Sequence, residues 1–445
     1  MEKKEFLKYN TAWRRTGAPV ISGDGTYACN VTMNPCAVLV DNDVYLFYAG
    51  DTPDGKRNIR LVIFKDGDLT KPDFKGVMVD NGEWGSFDGW WCVLPNIVRY
   101  GDKWRLYYTG NSGFGEGLSQ FPGLGMAESD DLIHWEKYEN NPVFAPSHVT
   151  GDPDAIGIAG GGFVVLPDGK LRWYYTGCPT VGSEHFLNQQ KNVCVAESED
   201  GINWERKGAV ISRDPDKDYR DIAAACNAPA IFEDGIYKLY YPCIGTRWGY
   251  YSICYAESED GMNWNVGEEY GDELVLGPST RSLDMTARFG SWENEMVEYP
   301  SVFTKDGKKY MFYCGNGYGY GGIGLAVACN SRVYARGTEL VATHNGEKYD
   351  LKINVTVNGE QLPASEWKRL DSDCNTWRET AINGTTVRVI VTHTLDGLRV
   401  FCTVVSDGKP AEVIARVNFG EIAFAEGTVT VAEKETKMTT IDLTI

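Results

Sequence analysis

Along the first three quarters of the chain the apolar positions gather into short aromatic runs, each closing on a small turn. They are YLFYAG at 45–50, RLYYTG at 105–110, RWYYTG at 172–177, KLYYPC at 238–243 and YMFYCG at 310–315. The second aromatic of each run, Tyr48, Tyr108, Tyr175, Tyr241 and Tyr313, recurs after 60, 67, 66 and 72 residues. A period of this kind marks a repeat architecture. Each run follows an apolar strand and a tight turn (NPCAVLVDND, LPNIVRYGDK, GGGFVVLPDGK, NAPAIFEDGI, YPSVFTKDGK), the chemistry of hairpins. Three copies continue into a third and a fourth strand, at 126–138, 195–208 and 255–267. Five repeats of four strands predict a five-bladed β-propeller over residues 1–330.

The fifth repeat lacks a fourth strand of its own after GIGLAVA at 322–328, whereas WRRTGAPVIS from Trp13 is similar to WERKGAVIS from Trp204. The segment around Trp13 is therefore expected to supply the outer strand of the last blade and to cover its open edge. Beyond about Asn330 the aromatic repeat gives way to plain alternation: Leu351, Ile353, Val355 and Val357; Val387, Val389 and Val391; Val400, Cys402 and Val404. Residues 331–445 are thus expected to form a separate β-sandwich, with no amphipathic helix anywhere in the chain.

Composition fits a globular chain: 42% of the 445 residues are hydrophobic and 24% charged, which excludes disorder and coiled coil. The formal charge of -19 argues against nucleic acid and anionic membranes as partners. No run is apolar enough for a signal peptide or a membrane span, so a cytoplasmic location is expected. The 12 cysteines include no CxxC pair, which points to buried free thiols rather than disulfides or a structural zinc site.

Blade connectivity brings the blade-to-blade links and the loops between second and third strands to one face. The links carry Asp24, Asp88, Asp152, Asp154, Asp214 to Asp221, Asp284, Glu293, Glu295 and Glu298; the loops carry Asp51, Glu116, His185, Arg247, Trp248 and Tyr318. An acidic, aromatic-rimmed funnel follows, in which crowded carboxylates shift one another's pKa. Taken singly, many of these acids would serve equally well as turn caps. Glu298 stands out: it lies two residues before Pro300, where the other repeats place Met33, Val93, Gly160 and Asn227, so it is expected near the axis. A charge there is costly unless it is used or paired. Asp88, Asp154 and Glu293 each precede the corresponding Pro95, Gly161 and Pro300 by seven residues, and Asp221 precedes Pro229 by eight. A repeated structural bond would give the same offset.

His148 and His185 fall in loops of that face; Trp90, Trp91 and Trp292 read either as a sugar platform or as blade packing. The glycine-rich stretch at 315–324 joins two strands without a GK[ST] signature, and no nucleophile elbow is present.

The repeats resemble the five-bladed β-propeller glycoside hydrolases of the family 43 and family 32 group. The likeness rests on the P-x-V strand followed by DG-x-Y-x-L-x-Y and on the ES-x-DG-x-x-W strands. It implies a glycosidase acting on an oligosaccharide by carboxylate acid/base catalysis, followed by a C-terminal sandwich. Glu298-Tyr299-Pro300 resembles the family 43 acid motif. The blade-one base position holds Asn34-Pro35 instead of Asp-Pro, and Arg213-Asp214-Pro215 lies in a link rather than an inner strand. The partner of Glu298 is then expected among Asp154, Asp88 and Asp221, with Asn34, Trp90, Trp91, His148, His185, Arg247, Trp292 and Glu293 contacting sugar. A non-catalytic glycan-binding propeller and a phosphorylase or transglycosidase are the alternatives. No cofactor is expected, although an axial Ca²⁺ would suit oxygen-rich surroundings.

Overall fold

The computed structural model describes residues 6–22, 31–113, 122–179, 190–225, 230–267, 271–279, 292–370 and 374–445. It is an all-β protein. Residues up to Ala328 form five antiparallel units of up-and-down strands. Unit one comprises β2 (Thr32–Val40), β3 (Asp43–Asp51), β4 (Arg57–Phe64) and β5 (Pro72–Val79). Unit two comprises β6 (Trp91–Tyr100), β7 (Lys103–Asn111), β8 (Leu124–Ser129) and β9 (Glu136–Lys137). Unit three comprises β10 (Gly157–Val165), β11 (Leu171–Cys178), β12 (Asn192–Ser198) and β13 (Glu205–Ile211). In unit four, β14 (Ala223–Ala224) and β15 (Ala230–Glu233) both pair with β16 (Ile236–Ile244), followed by β17 (Tyr251–Ser258) and β18 (Leu274–Leu276). Unit five runs β19 (Glu298–Lys305), β20 (Lys308–Cys314) and β21 (Ile323–Ala328), and its outer strand is β1 (Trp13–Arg15).

That last pairing is the one expected from the Trp13 segment: Trp13 faces Ala328, Arg14 faces Val327 and Arg15 faces Ala326. Trp13 is buried and meets Tyr240 edge-on at 5.6 Å. First strands of neighbouring units touch, β2 with β6, β6 with β10, β10 with β15 and β19 with β2; β19 also touches β16, the second strand of unit four. Polar ties sew neighbouring strands together: Ala37 N–H to Ser301 Oγ at 2.9 Å, Leu94 N–H to Asn34 Oδ1 at 3.3 Å, and Asn96 Nδ2 to the Gly161 carbonyl at 2.7 Å. Farther out, Tyr107 and Tyr174 donate hydroxyls to the Gly201 and Gly261 carbonyls of the next unit, at 2.9 and 2.8 Å.

The first strands of units one, two, three and five each carry a bulge near the start. The register slips between Met33 and Cys36, Val93 and Asn96, Ala159 and Gly162, and Glu298 and Ser301. The bulged residues Asn34, Leu94, Gly160 and Tyr299 all have φ between 52 and 59°. Such a bulge re-aims a side chain, and it recurs where a site would be built. It also corrects the alignment of the repeats: Ala159, not Gly160, stands in register with Glu298. Asn227 lies outside the described residues.

From Ser331 the strands pair differently. They are β22 (Ser331–Arg336), β23 (Glu339–His344), β24 (Glu347–Tyr349), β25 (Leu351–Val357), β26 (Glu360–Gln361), β27 (Lys368–Arg369), β28 (Thr376–Ile382), β29 (Thr385–Thr394), β30 (Gly397–Ser406), β31 (Ala411–Phe419), β32 (Ala423–Val431) and β33 (Thr436–Thr444). They make sheets ordered β22-β23-β24, β26-β25-β31-β32 and β27-β28-β29-β30-β33. Val355, Val389, Val400, Val413, Ala415 and Val417 belong to one valine-rich core shared by the two larger sheets. All ten described cysteines are buried and none is in a disulfide; Cys29 and Cys226 lie outside the described residues. No described helix is long and apolar enough to cross a membrane.

Candidate functional site

In each unit the link from the preceding unit and the loop between second and third strands lie at the end where the first strand starts. Glu298 opens β19 at that end. It is fully buried, and neither carboxylate oxygen has a hydrogen-bond partner among the described residues. Burial pushes its carboxyl well above the ordinary carboxylate range; the Lys191 ammonium opposes this, and the Tyr299 side chain does so without reaching hydrogen-bond geometry.

The groups around Glu298 come from four units. Lys191, just before β12, is buried and donates Nζ to the Tyr251 hydroxyl at 2.8 Å. Burial lowers the Lys191 pKa, and Cys178 and Glu298 raise it. The pKa values of Tyr251, Tyr299 and Tyr318 rise chiefly by burial, and the Glu298 charge adds to each. Tyr318, half-buried, donates to the Tyr250 hydroxyl at 3.1 Å. Across the start of β2, the buried Asn34 leaves Nδ2 without a partner among the described residues. Lys191, Tyr250 and Tyr251 are additions to the expected site. Their sequence signal is weak, because Lys191 and Tyr250 flank strands and Tyr251 opens one, none of them at a periodic position.

The other expected acids have different surroundings. Asp88 Oδ2 accepts from the Tyr108 hydroxyl at 2.9 Å and from Lys137 Nζ at 2.6 Å. Asp154 Oδ2 accepts from the Tyr175 hydroxyl and Arg206 Nε, both at 2.9 Å, while its Oδ1 has no partner among the described residues. Glu293 Oε2 accepts from the Tyr313 hydroxyl at 2.8 Å and Arg15 Nη1 at 2.7 Å. In all three the link acid is buried between the second-strand tyrosine and a cation of the outer strand. The shared offset of seven residues therefore reflects a bond repeated within each of these units.

Unit four exchanges the signs. Tyr241 donates to Glu273, at the outer strand, and the cations Lys217 and Arg220 come from the link, with Lys217 Nζ 2.6 Å from Glu273 Oε1. Asp221 is accordingly released from that role: it caps the loop after β16, accepting the Thr246 N–H at 2.8 Å and hydroxyl at 2.7 Å. Arg247 lies in that loop, its guanidinium 5.0 Å from the Trp248 ring.

Trp292 stacks on Tyr313 at 5.5 Å and fills the space over Gly315 and Gly324, so it packs unit five instead of offering a free face. Trp91 is half-buried with the Arg57 guanidinium 4.3 Å over its ring. Trp90 is half-buried and meets Trp84 edge-on at 5.5 Å. Trp84 itself is 64% exposed, and sequence reasoning passed over it. His148 is exposed in the link to unit three. His185, Asp24, Glu116 and Asp284 lie outside the described residues. Among the described residues no group of three or more His, Cys, Asp or Glu side chains could hold a metal ion.

The chain resembles the five-bladed propeller glycoside hydrolases. In particular, residues 89–273 match the family described as the glycosyl hydrolases family 32 N-terminal domain. An uncharacterized protein of Mycobacterium tuberculosis (strain ATCC 25618 / H37Rv) is 28% identical over 328 residues, 72% of this chain and 100% of that protein. Among solved structures, a thermostable family-43 glycoside hydrolase is 17% identical with a TM-score of 0.51, covering 74% of this chain and 96% of its own. A second belongs to work on the GH130 family of mannoside phosphorylases, described as containing glycoside hydrolases that target β-1,2 mannosidic linkages in Candida mannan. It is 19% identical with a TM-score of 0.54, covering 73% of this chain and 96% of its own. A glycosyl hydrolase from Bacteroides ovatus is 17% identical with a TM-score of 0.52, covering 73% and 96%. At these identities the solved structures establish the shared fold.

Proposed function

We propose that the five units are the blades of one propeller, closed by β1, that residues 331–445 are a β-sandwich appended to it, and that the propeller cleaves a glycosidic bond in an oligosaccharide with Glu298 as proton donor. The observation that carries this reading is Glu298 itself, a buried carboxyl with both oxygens unpartnered among the described residues, at a bulged inner strand. A buried carboxyl with its pKa raised keeps its proton to higher pH than an exposed one, the direction a general acid requires. Lys191, tied to Tyr251, would hold the charge left when that proton departs. The unpartnered Asn34 amide is suited to a sugar hydroxyl, and the exposed Trp84 ring to a sugar face. Because Glu298 is closed to solvent in this conformation, substrate entry requires its cover to move.

The test is hydrolysis across an oligosaccharide panel by the wild type and Glu298→Gln. The variant is expected to lose about two orders of magnitude or more in kcat, the range for loss of acid catalysis. Unchanged turnover would refute the role. Binding by calorimetry with no product from either protein would instead establish a non-catalytic glycan-binding propeller.

A phosphorylase is the second reading, favoured by Asn34 at the expected base position and by the buried Lys191 cation beside the acid. It requires phosphate in place of activated water, so release of a sugar 1-phosphate only when phosphate is supplied would decide for it.

A further inference from the structure

The turns between first and second strands lie at the opposite end of the units from Glu298. There a groove of about 380 Å³ runs between the N-terminal residues 8–11, the β15–β16 and β19–β20 turns and the first strands of the C-terminal part. Four of its lining residues are lysines: Lys8, Lys238, Lys308 and Lys309. Lys238 is buried, and Lys238 and Lys309 both donate to one oxygen, Glu233 Oε2, at 2.9 and 2.6 Å. Lys8 and Lys238 flank the Tyr9 ring at 5.2 and 4.9 Å. Lys8 and Lys308 are exposed and form no ion pair among the described residues. Two acids, Asp234 and Asp396, line the groove and are exposed.

Lys238 and Lys309 share one oxygen of Glu233, and Glu257, opposite Lys238 in the β16–β17 register, also interacts with the Lys238 charge; Lys8 and Lys308 add two exposed ammonium groups to the groove. Burial lowers the Lys309 pKa; the bond to Glu233 opposes this and the neighbouring Lys238 adds to it.

We propose that this groove binds a small oxyanion, a phosphate- or carboxylate-bearing molecule of up to monosaccharide size, between Lys8, Lys308 and Lys309. The volume falls within the range of small-ligand sites, roughly 300–1,000 Å³, and lysines from both sides of the groove can hold an oxyanion through charge-assisted hydrogen bonds.

Calorimetry at low ionic strength tests it, with inorganic phosphate, sulfate and glucuronate each titrated into the wild type, the Lys8→Glu/Lys308→Glu double variant, Lys309→Met and Glu298→Gln. At least one anion is expected to bind 1:1, about tenfold or more weaker in the double variant and in Lys309→Met, a change of about 1.4 kcal/mol or more. Glu298→Gln should bind as the wild type does. Phosphate or sulfate alone would identify a phosphoryl-type ligand, and glucuronate an acidic sugar. Absence of binding by all three, equal affinity in the lysine variants, or loss of binding in Glu298→Gln would overturn the proposal.

Discussion

Asp154→Asn separates a structural acid from a catalytic one. The substitution removes the charge that faces Arg206 while keeping the shape of the side chain. Asp154 is fully buried and its Oδ2 receives both the Tyr175 hydroxyl and Arg206 Nε. Breaking a buried ion pair from one side typically costs about 3–5 kcal/mol. The Arg206 side chain is 34% exposed, so water recovers part of that loss. The unpartnered Oδ1 position adds a cost if the amide nitrogen occupies it, since its hydrogens find no acceptor there. The expected net loss is about 2–4 kcal/mol. Urea unfolding followed by tryptophan fluorescence measures it, and Arg206→Met with the double variant isolates the pairwise part. Activity per folded molecule should stay near that of the wild type. Stability within about 0.5 kcal/mol of wild type, together with a hundredfold loss of turnover, would refute the argument and return Asp154 to the role of catalytic base.

Four further outcomes follow from the same structure. Glu298→Gln should gain stability over the wild type as pH rises above about 4.5, the ordinary value for this group. The folded pKa is raised, so the wild type has its full stability below that pH and loses up to about 1.4 kcal/mol per pH unit until the folded pKa is passed; a Tm difference that is flat from pH 4 to 8 would contradict this. Trp13→Ala should cost about 3–5 kcal/mol, the usual loss for a buried tryptophan, by weakening the strand that completes unit five, and hydrogen exchange in β21 should rise with it. Gly261→Ala should destabilise by about 2–3 kcal/mol, because a Cβ at φ +71° would stand 2.3 Å from Arg172 Nη1 and 2.4 Å from the Tyr174 hydroxyl. Gly235→Ala, at φ +76° in open space, should cost only about 1 kcal/mol.

The fold was legible because a repeat multiplies weak local signals. One aromatic run followed by a turn is ambiguous, but five at a near-constant interval are not, and the same regularity exposed the missing fourth strand that Trp13 supplies. The site was less legible for two reasons. Unit three carries Gly161 where units one, two and five carry proline, so the count back lost its marker and put Gly160 where Ala159 belongs. Offsets also report whatever recurs in every unit, and what recurs is the bond between acid, tyrosine and cation. Lys191 and Tyr251 escaped notice because each acts in one unit only, and a single residue beside a strand carries no periodic signature.

Unit four shows why acidity alone is a poor guide to chemistry in this chain. Asp88, Asp154 and Glu293 approach their tyrosines from the link, yet Glu273 reaches Tyr241 from the outer strand and the cations change places with it. The exchange preserves the contact and reverses its polarity, which a catalytic arrangement tied to one substrate orientation could not tolerate. What the units require is therefore a neutralised carboxylate against the tyrosine hydroxyl, whichever strand supplies it. Removing the acids that satisfy this requirement leaves Glu298 as the buried described carboxyl with both oxygens unpartnered. Desolvation of such a group is a standing cost to folding; no hydrogen bond within the described residues offsets it, and the Lys191 charge opposes it only in part. A group that the fold carries at a cost, at a bulge that aims it and beside a buried cation, is where bond chemistry is expected.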